Sequence, residues 1–400
     1  MGLQNSVPCW VVGRMTDKLP FGGEVVRLGD VCEVVGGATP KTGNTNYWNG
    51  SIKWITPAEL NNESHVVTDT AKHLTMDGFH SASLRMMPAG TVLLTTRAPI
   101  GKVAIAGAEM CCNQGFKNLI CSNKVYNEYL YRYLKFHAAE LQSLGSGATF
   151  KELSKRTVSN LQIYLPALDF QHEAVQKLSE VDRAIGYTND LTSMLSDLVK
   201  SRFVEMFGDG DFPRFRLDKV ADVQGGLTKN RRRETLPMRL PYLRVANVGP
   251  TGGVDTNEML SIGLTDVEAR KTLLKTGDLL FVEGNGSKNQ IGRVAIWDGS
   301  IDPCVHQNHL IRARLYKDVL PIFALTYFSS PDGRRQITNK AASTSGLFTL
   351  STGKIKSLVL PVPPLSLQHE FSDFAAQVDK LRFEQLVALK KRGSQHLIAP

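Results

Sequence analysis

The chain predicts a mixed α/β (α+β) fold built twice: two similar globular domains in tandem, each followed by a long α-helix, the two helices packing against each other. The first observation behind this is an ordered internal repeat. VRLGDV at 26–31 returns as FRLDKV at 215–220, 189 residues later, and Gly36-Gly37-x-Thr39 returns as Gly225-Gly226-x-Thr228. Ile100-Gly101-Lys102-Val103-Ala104-Ile105 is answered by Ile291-Gly292-Arg293-Val294-Ala295-Ile296 at an offset of 191. Gln171-His172-Glu173 is answered by Gln368-His369-Glu370, and Val181-Asp182 by Val378-Asp379, both at 197. Solenoid repeats run to roughly 20–50 residues, so a period this long marks a duplicated domain. The second observation is a set of short apolar runs broken by Gly, Pro and Asn inside each copy. The third is a proline-free stretch with helical spacing after each copy.

Taken in order, the runs Ile52–Thr56, Thr91–Thr95, Val103–Ala106 and Leu161–Leu165 predict strands in the first domain. Asn127–Leu144 has helical spacing. From Leu168 to Phe207 there is no proline, and Leu178, Val181, Ile185, Leu191, Leu195 and Leu198 fall at the three-and-four spacing of a helix seam until Gly208 stops it. A helix of roughly 38 residues at about 1.5 Å each makes a rod of about 57 Å. In the second domain Tyr242–Val245, Asp278–Val282, Val294–Trp297 and Leu358–Pro361 predict strands, and Leu320–Phe328 a helix. Phe371, Phe374, Val378, Leu381, Leu386 and Leu389 then offer a second stripe, expected to pair with the first because both helices open on the same Gln-His-Glu signature. The expected organisation is domain one at 1–166, the central helix and spacer at 167–211, domain two at 212–364 and the C-terminal helix at 365–400. That last helix reads as shortened: aligning Val378-Asp379 on Val181-Asp182 puts Arg392 opposite Leu195, and Gly393–Pro400 abandons the periodicity.

Four hundred residues with 42% apolar content support two ordinary cores. No apolar run approaches the roughly 20 residues that span a bilayer, and the N-terminus does not look like a signal peptide, so a cytoplasmic protein is expected. Cys9, Cys32, Cys111, Cys112, Cys121 and Cys304 show no CxxC pairing and divide five to one between the copies. A shared disulfide framework or metal site would have been duplicated, so reduced core thiols are expected. The net charge of +9 is unevenly spread. Residues 1–166 carry 16 Lys and Arg against 12 Asp and Glu, and residues 212–364 carry 22 against 13. The segment 167–211 carries only 4 against 9. A polyanion is drawn to the two domains and away from their connector.

Catalytic signatures are missing from the sequence. There is no GxxxxGK[ST], GxGxxG, HExxH, GxSxG or Asn/Asp-Pro-Pro-aromatic motif. Gly145-Ser146-Gly147 and Gly284-Asn285-Gly286-Ser287-Lys288 lack the remaining spacing of phosphate loops and read as flexible loops. His306, Gln307 and His309 suggest metal ligation at first sight. The first copy has Asn113, Gln114 and Phe116 near the equivalent place, so polar side chains reaching a partner fit better and no metal is expected. His172 and His369 read as capping or packing residues.

The pattern Gly36-Gly37-Ala38-Thr39-Pro40 through Trp48 to Trp54-Ile55-Thr56-Pro57 resembles the opening of a target recognition domain. Leu198-Val199-Lys200-Ser201-Arg202-Phe203-Val204-Glu205-Met206-Phe207-Gly208-Asp209 resembles the end of the central spacer helix of type I restriction-modification specificity subunits, the HsdS family. The order domain, helix, domain, helix resembles that family from about residue 22 to 392. The resemblance implies a non-catalytic subunit that reads a bipartite double-stranded DNA target, one half-site per domain. Its helices would pack as an antiparallel coiled coil and dock two copies of the methyltransferase subunit (HsdM), with a restriction subunit (HsdR) able to join. S-adenosylmethionine and ATP would bind those partners, leaving this chain with no cofactor.

Phosphate anchoring needs Lys and Arg, and base discrimination needs Arg, Asn, Gln, Ser or Thr on loops held by a rigid scaffold. In the first domain these requirements select Lys41, Thr42, Asn44, Asn46 and Tyr47, with Arg97 and Lys102. In the second they select Lys229, Asn230, Arg231, Arg232 and Arg233, then Arg244, Asn247, Lys288, Asn289, Gln290 and Arg293. The duplicated Gly pairs are expected to shape the backbone. Two rivals come from other classes. An enzyme carrying its own recognition domains would need several hundred more residues with catalytic motifs. A protein-interaction scaffold would lack the salt-sensitive DNA binding that the charge division predicts. A remnant specificity subunit without function is the third alternative, raised by the short second helix.

Overall fold

The computed structural model describes residues 23–97, 99–146, 151–249, 252–344 and 346–398. Cys9 lies outside them. The chain divides into two compact units between Arg183 and Ala184, inside a single helix, Leu168–Phe207.

The first unit is closed by an antiparallel ribbon in which Glu24–Arg27 pairs with Gln162–Leu165. Its main sheet has five strands in the order Cys32–Gly36, Lys117–Cys121, Val92–Thr96, Ile100–Ala106 and Val66–Val67. A smaller sheet sets Trp48–Ile55 between His73–Leu74 and Cys111–Cys112, the last running parallel to it. Both faces of the main sheet are buried, so alternate residues feed different cores. Val92, Leu94, Val103 and Ile105 pack with Leu130, Leu134 and Ile163, whereas Leu93, Ala104 and Ala106 pack with Ile55 and Phe116. The helix expected over 127–144 is interrupted at His137 (φ −92°, ψ 21°), which separates Asn127–Phe136 from Ala138–Ser143.

The second unit repeats this plan. Arg214–Arg216 pairs with Val359–Pro361. Ala221–Gly225, Leu310–Leu315, Leu279–Val282 and Val294–Ile296 form a four-stranded sheet in the same order as their counterparts. Arg239–Leu243 lies between antiparallel Leu260–Gly263 and parallel Val305–His306. Leu279 and Phe281 enter one core, Leu280 and Val282 the other. An additional small sheet joins Gly284–Asn285 to the antiparallel strands Ala342–Thr344 and Leu347–Thr349, so Gly284–Lys288 begins as a strand rather than a free loop.

The Gln-His-Glu repeat has a structural meaning carried by the glutamine. The Gln171 side chain, fully buried, accepts from Tyr126 N (2.8 Å) and donates to Lys124 O and Pro166 O (both 2.9 Å). Gln368, equally buried, accepts from Leu320 N (2.9 Å) and donates to Asp318 O (3.0 Å) and Pro363 O (2.8 Å). Each glutamine therefore ties the start of a long helix to the start of a domain helix. His172 packs instead, stacked on Tyr126 at 4.0 Å. Replacing Gln171 or Gln368 by Leu strands three buried backbone groups and is expected to destabilise that unit by about 2 kcal/mol. Urea unfolding checks this, and an unchanged midpoint would show that the glutamine is dispensable.

Within the second unit the end of the central helix packs antiparallel on the C-terminal helix, Leu365–Ile398. Arg202 bonds Glu370 (2.8 Å), and Arg382 bonds Ser196 Oγ (3.0 Å), so the partner number rises as the central-helix number falls. Phe203, Phe207, Phe323 and Phe371 form one aromatic cluster with centroids 5.0–5.8 Å apart. The expected seam is corrected here. Phe371 and Val378 are buried and Leu191, Leu195 and Phe374 half-buried, but Leu178, Val181, Ile185, Leu198 and Leu381 stand 43–51% exposed. A helix turns about 100° per residue, so a contact centred on Phe203 selects Leu195, Val199 and Met206 and rotates Leu198 outward. The side chain of Leu386 lies outside the described residues. The C-terminal helix continues through Gly393 to Ile398, 34 residues against 40 in the central helix.

Candidate nucleic-acid interface

In both units the loops gather at one end of the main sheet, because antiparallel neighbours bring a strand end beside the next strand's start. In the first unit Gly36 pairs with Lys117, Thr95 with Phe116, and Thr96 with Ile100. The segments 37–47 and 113–116 are thus adjacent to Arg97 and Pro99. Leu153 N donates to Thr96 O (3.0 Å), and Ser146 and Glu152 exchange backbone hydrogen bonds, which adds a fourth segment. The second unit matches this with 226–235, 283–291, 307–309 and the paired strands Ala342–Thr344 and Leu347–Thr349.

The first loop is held by backbone approach and by indoles. A Cβ on Gly37 would fall 1.9 Å from Cys112 O, and on Gly226 2.2 Å from His306 O, so the loop root closes only with glycine. Trp54 Nε1 donates to Ala38 O (3.0 Å) and Trp48 Nε1 to Lys41 O (3.4 Å), the two rings edge-to-face at 5.1 Å. Thr39 Oγ1 donates to Gln114 Oε1 at 2.5 Å. This leaves Lys41, Thr42 and Asn46 exposed. Asn44 and Tyr47 are half-buried, and Asn44 caps the turn by accepting from Asn46 N (3.2 Å).

The second unit holds the equivalent loop with a charge clamp. Asn230 caps the short turn Arg231–Thr235 through Arg233 N (3.3 Å). Arg233 donates to Thr228 O (2.6 Å), Gly263 O (3.1 Å) and both oxygens of Glu268 (2.8 and 3.1 Å). The Arg233 guanidinium, helped by the Thr265 backbone N–H, pulls the Glu268 carboxyl down to about 2. Lys229, Arg231 and Arg232 remain exposed, and among the described residues neither Arg231 nor Arg232 has an ion-pair partner.

Four expected contacts prove to be frame residues. Lys102 donates to Leu60 O, and its counterpart Arg293 donates to Val248 O (3.1 Å) and Gln290 Oε1 (3.2 Å). The same tether is thereby built twice, from the sheet to the end of a short turn. Asn247, 4% exposed, accepts from Arg244 N (3.0 Å) and donates to Asp255 O (2.8 Å) and Glu258 O (3.3 Å). Glu59 caps the matching turn in the first unit, accepting from Thr56 N at 2.8 Å. Arg233 is the fourth. Each of these side chains spends hydrogen bonds on the protein's own frame, which is why a solvent-facing reading fails for them. Arg244 is half-buried and pairs with Glu258 (2.9 Å), and Arg97 is half-buried beside Glu152. Lys288 and Asn289 are exposed on a segment that Arg334 braces through Asn289 O (3.2 Å), Ile291 O (2.7 Å) and Gly292 O (3.1 Å).

Sequence reasoning left out Lys117, Asn308 and the strands Ala342–Thr344 and Leu347–Thr349, which only the strand register brings to the loop end. His306 is buried rather than reaching outward, while His309 is exposed and bonded to Glu283 (2.9 Å). Among the described residues no cluster of three or more His, Cys, Asp and Glu is placed to hold a metal, and no helix is long and apolar enough to cross a membrane.

A family model described as the type I restriction modification DNA specificity domain matches residues 20–195. The chain is 36% identical over 195 residues to the type I restriction enzyme MjaIX specificity subunit of Methanocaldococcus jannaschii, a match covering 48% of this chain and 45% of that one. The alignment thus spans about half the length of that relative. Over 388 residues it is 25% identical to the type I restriction enzyme EcoKI specificity subunit of Escherichia coli, covering 88% of this chain and 81% of the other. Among solved structures, a type I restriction-modification system S subunit from M. genitalium aligns over 94% of both chains with a TM-score of 0.52 at 13% identity, a likeness of fold.

Proposed function

We propose, on the premise that this chain belongs to the type I restriction-modification specificity family, that it is the DNA-reading subunit of a type I restriction-modification complex. Each unit would read one part of a bipartite target. The observation that carries this is a division of labour between frame and loop. The frame is duplicated down to its tethers, Lys102 with Arg293 and Gln171 with Gln368. The exposed residues it presents differ: Lys41, Thr42 and Asn46 in one unit, and Lys229, Arg231 and Arg232 in the other. Similar frames with different loops suit two different half-sites. The basic charge of the two globular blocks supports a DNA partner, and the acidic 167–211 segment supports a protein partner there.

On this reading the chain is non-catalytic and cytoplasmic, and its long helices dock two methyltransferase subunits, with a restriction subunit able to join. S-adenosylmethionine and ATP belong to those partners. The test is a base-resolved methylome of cells expressing this chain with its cognate methyltransferase subunit, against cells lacking only this chain. The expected result is a two-part methylated motif that disappears with the chain. A motif that persists without it, or none when the methyltransferase is shown active with another specificity subunit, overturns the reading.

A further inference from the structure

We propose that Cys32 and Cys121 form a reversible cross-strand disulfide, making this pair a thiol-disulfide modification site in the first unit. The two residues face each other directly in the antiparallel pairing of Cys32–Gly36 with Lys117–Cys121. Cys32 N donates to Leu28 O, and Ser122 N donates to Val31 O (3.0 Å). The inter-strand bond therefore falls at the Val31 and Ser122 position, and the cysteines occupy a non-hydrogen-bonded pair. At such positions Cα atoms lie about 4.5 Å apart with side chains at their closest, inside the roughly 4.4–6.8 Å range that a disulfide spans. In the second unit the same places hold Ala221 and Leu315, an ordinary apolar pair, so the frame does not require thiols here.

The two sulfurs are unlike. The neighbouring Cys32 thiol lowers Cys121, while Cys121 and burial raise Cys32. Cys121 is half-buried and reachable; Cys32 is 6% exposed. The Cys121 thiolate attacks one sulfur of a low-molecular-weight disulfide such as oxidised glutathione, forming a mixed disulfide and releasing one glutathione thiolate. Cys32 gives its proton to solvent base and attacks the Cys121 sulfur, expelling the second glutathione. The cysteine pair loses two electrons and two protons, and the glutathione disulfide is reduced to two thiols. Burial pushes Cys111, Cys112 and Cys304 up to about 12, which leaves them poor competitors.

The full chain is incubated in buffers of graded oxidised to reduced glutathione, alkylated in acid-quenched samples, and mapped by mass spectrometry without reduction. The expected product is a Cys32 peptide joined to a Cys121 peptide, reversed by dithiothreitol. The Cys32→Ala variant, which copies Ala221, is expected to stop at glutathione on Cys121, with its circular dichroism unchanged. Quantitative alkylation of both cysteines after oxidation overturns the proposal. So does a stable glutathione adduct on Cys121 of the unaltered chain, or a crosslink between other cysteines.

Discussion

Replacing Arg231 and Arg232 together by Ala is expected to weaken binding of duplex DNA about thirtyfold near 0.15 M salt. Each phosphate neutralised adds about 0.9 to the slope of log K against log salt, so two lost contacts lower the slope by about 1.8. At 0.15 M each contact is then worth roughly 0.7 of a decade. The figure rests on both guanidiniums being exposed beside a neighbour that is not. Arg233 is 12% exposed at its side chain and closes on Glu268, so Arg233→Ala is expected to weaken binding by loosening the loop while leaving the slope close to that of the unaltered chain. Titrations of a labelled duplex at several salt concentrations separate these outcomes. An unchanged slope for the Arg231 and Arg232 double substitution removes them from the phosphate contacts. A slope lowered by Arg233→Ala as much as by its neighbours removes the clamp.

The second unit is expected to lose about 3 kcal/mol of stability as pH falls from 6.5 to 4. His306 is fully buried, with Nδ1 2.9 Å from Leu310 O and Nε2 without a hydrogen-bond partner among the described residues. Burial drives its pKa down to about 4, and Arg312 pushes the same way. The Leu310 carbonyl, Asp278 and Gln307 oppose them. The folded value lies below the unfolded value of about 6.5, so the stabilisation is complete above pH 6.5 and is lost progressively down to pH 4. A gap of 2.5 between the unfolded and folded values, at about 1.36 kcal/mol per unit, gives the magnitude. Urea unfolding at pH 7.5, 5.5 and 4.5 measures it. The His306→Cys variant, copying Cys112 at the equivalent place, is expected to flatten the profile between pH 7.5 and 4.5. An equally steep profile in that variant assigns the acid sensitivity to other groups.

Much of the fold was legible from the chain alone. The central helix has the bounds that its proline-free stretch and Gly208 predicted, Leu168–Phe207. The predicted strand runs lie in or beside observed strands, because burial on one face or two leaves a period that a linear reading detects. The duplication was visible because the same frame keeps the same residues at its close approaches, as at Gly37 and Gly226.

What the tertiary structure alone decided is which polar side chains are free. Arg231, Arg232 and Arg233 are consecutive and chemically identical. Only Arg233 meets a carboxylate, and that carboxylate is 35 residues away. Lys102 ends on a carbonyl 42 residues distant, and Arg293 on one 45 distant. The helix seam was placed one residue round the helix, on Leu198 instead of Val199, because the face of a helix that is buried depends on what comes to lie against it. Periodicity is a property of neighbours along the chain and reports burial. Pairing is a property of segments that meet only after folding, and a long-range ion pair or two facing thiols leaves no local mark.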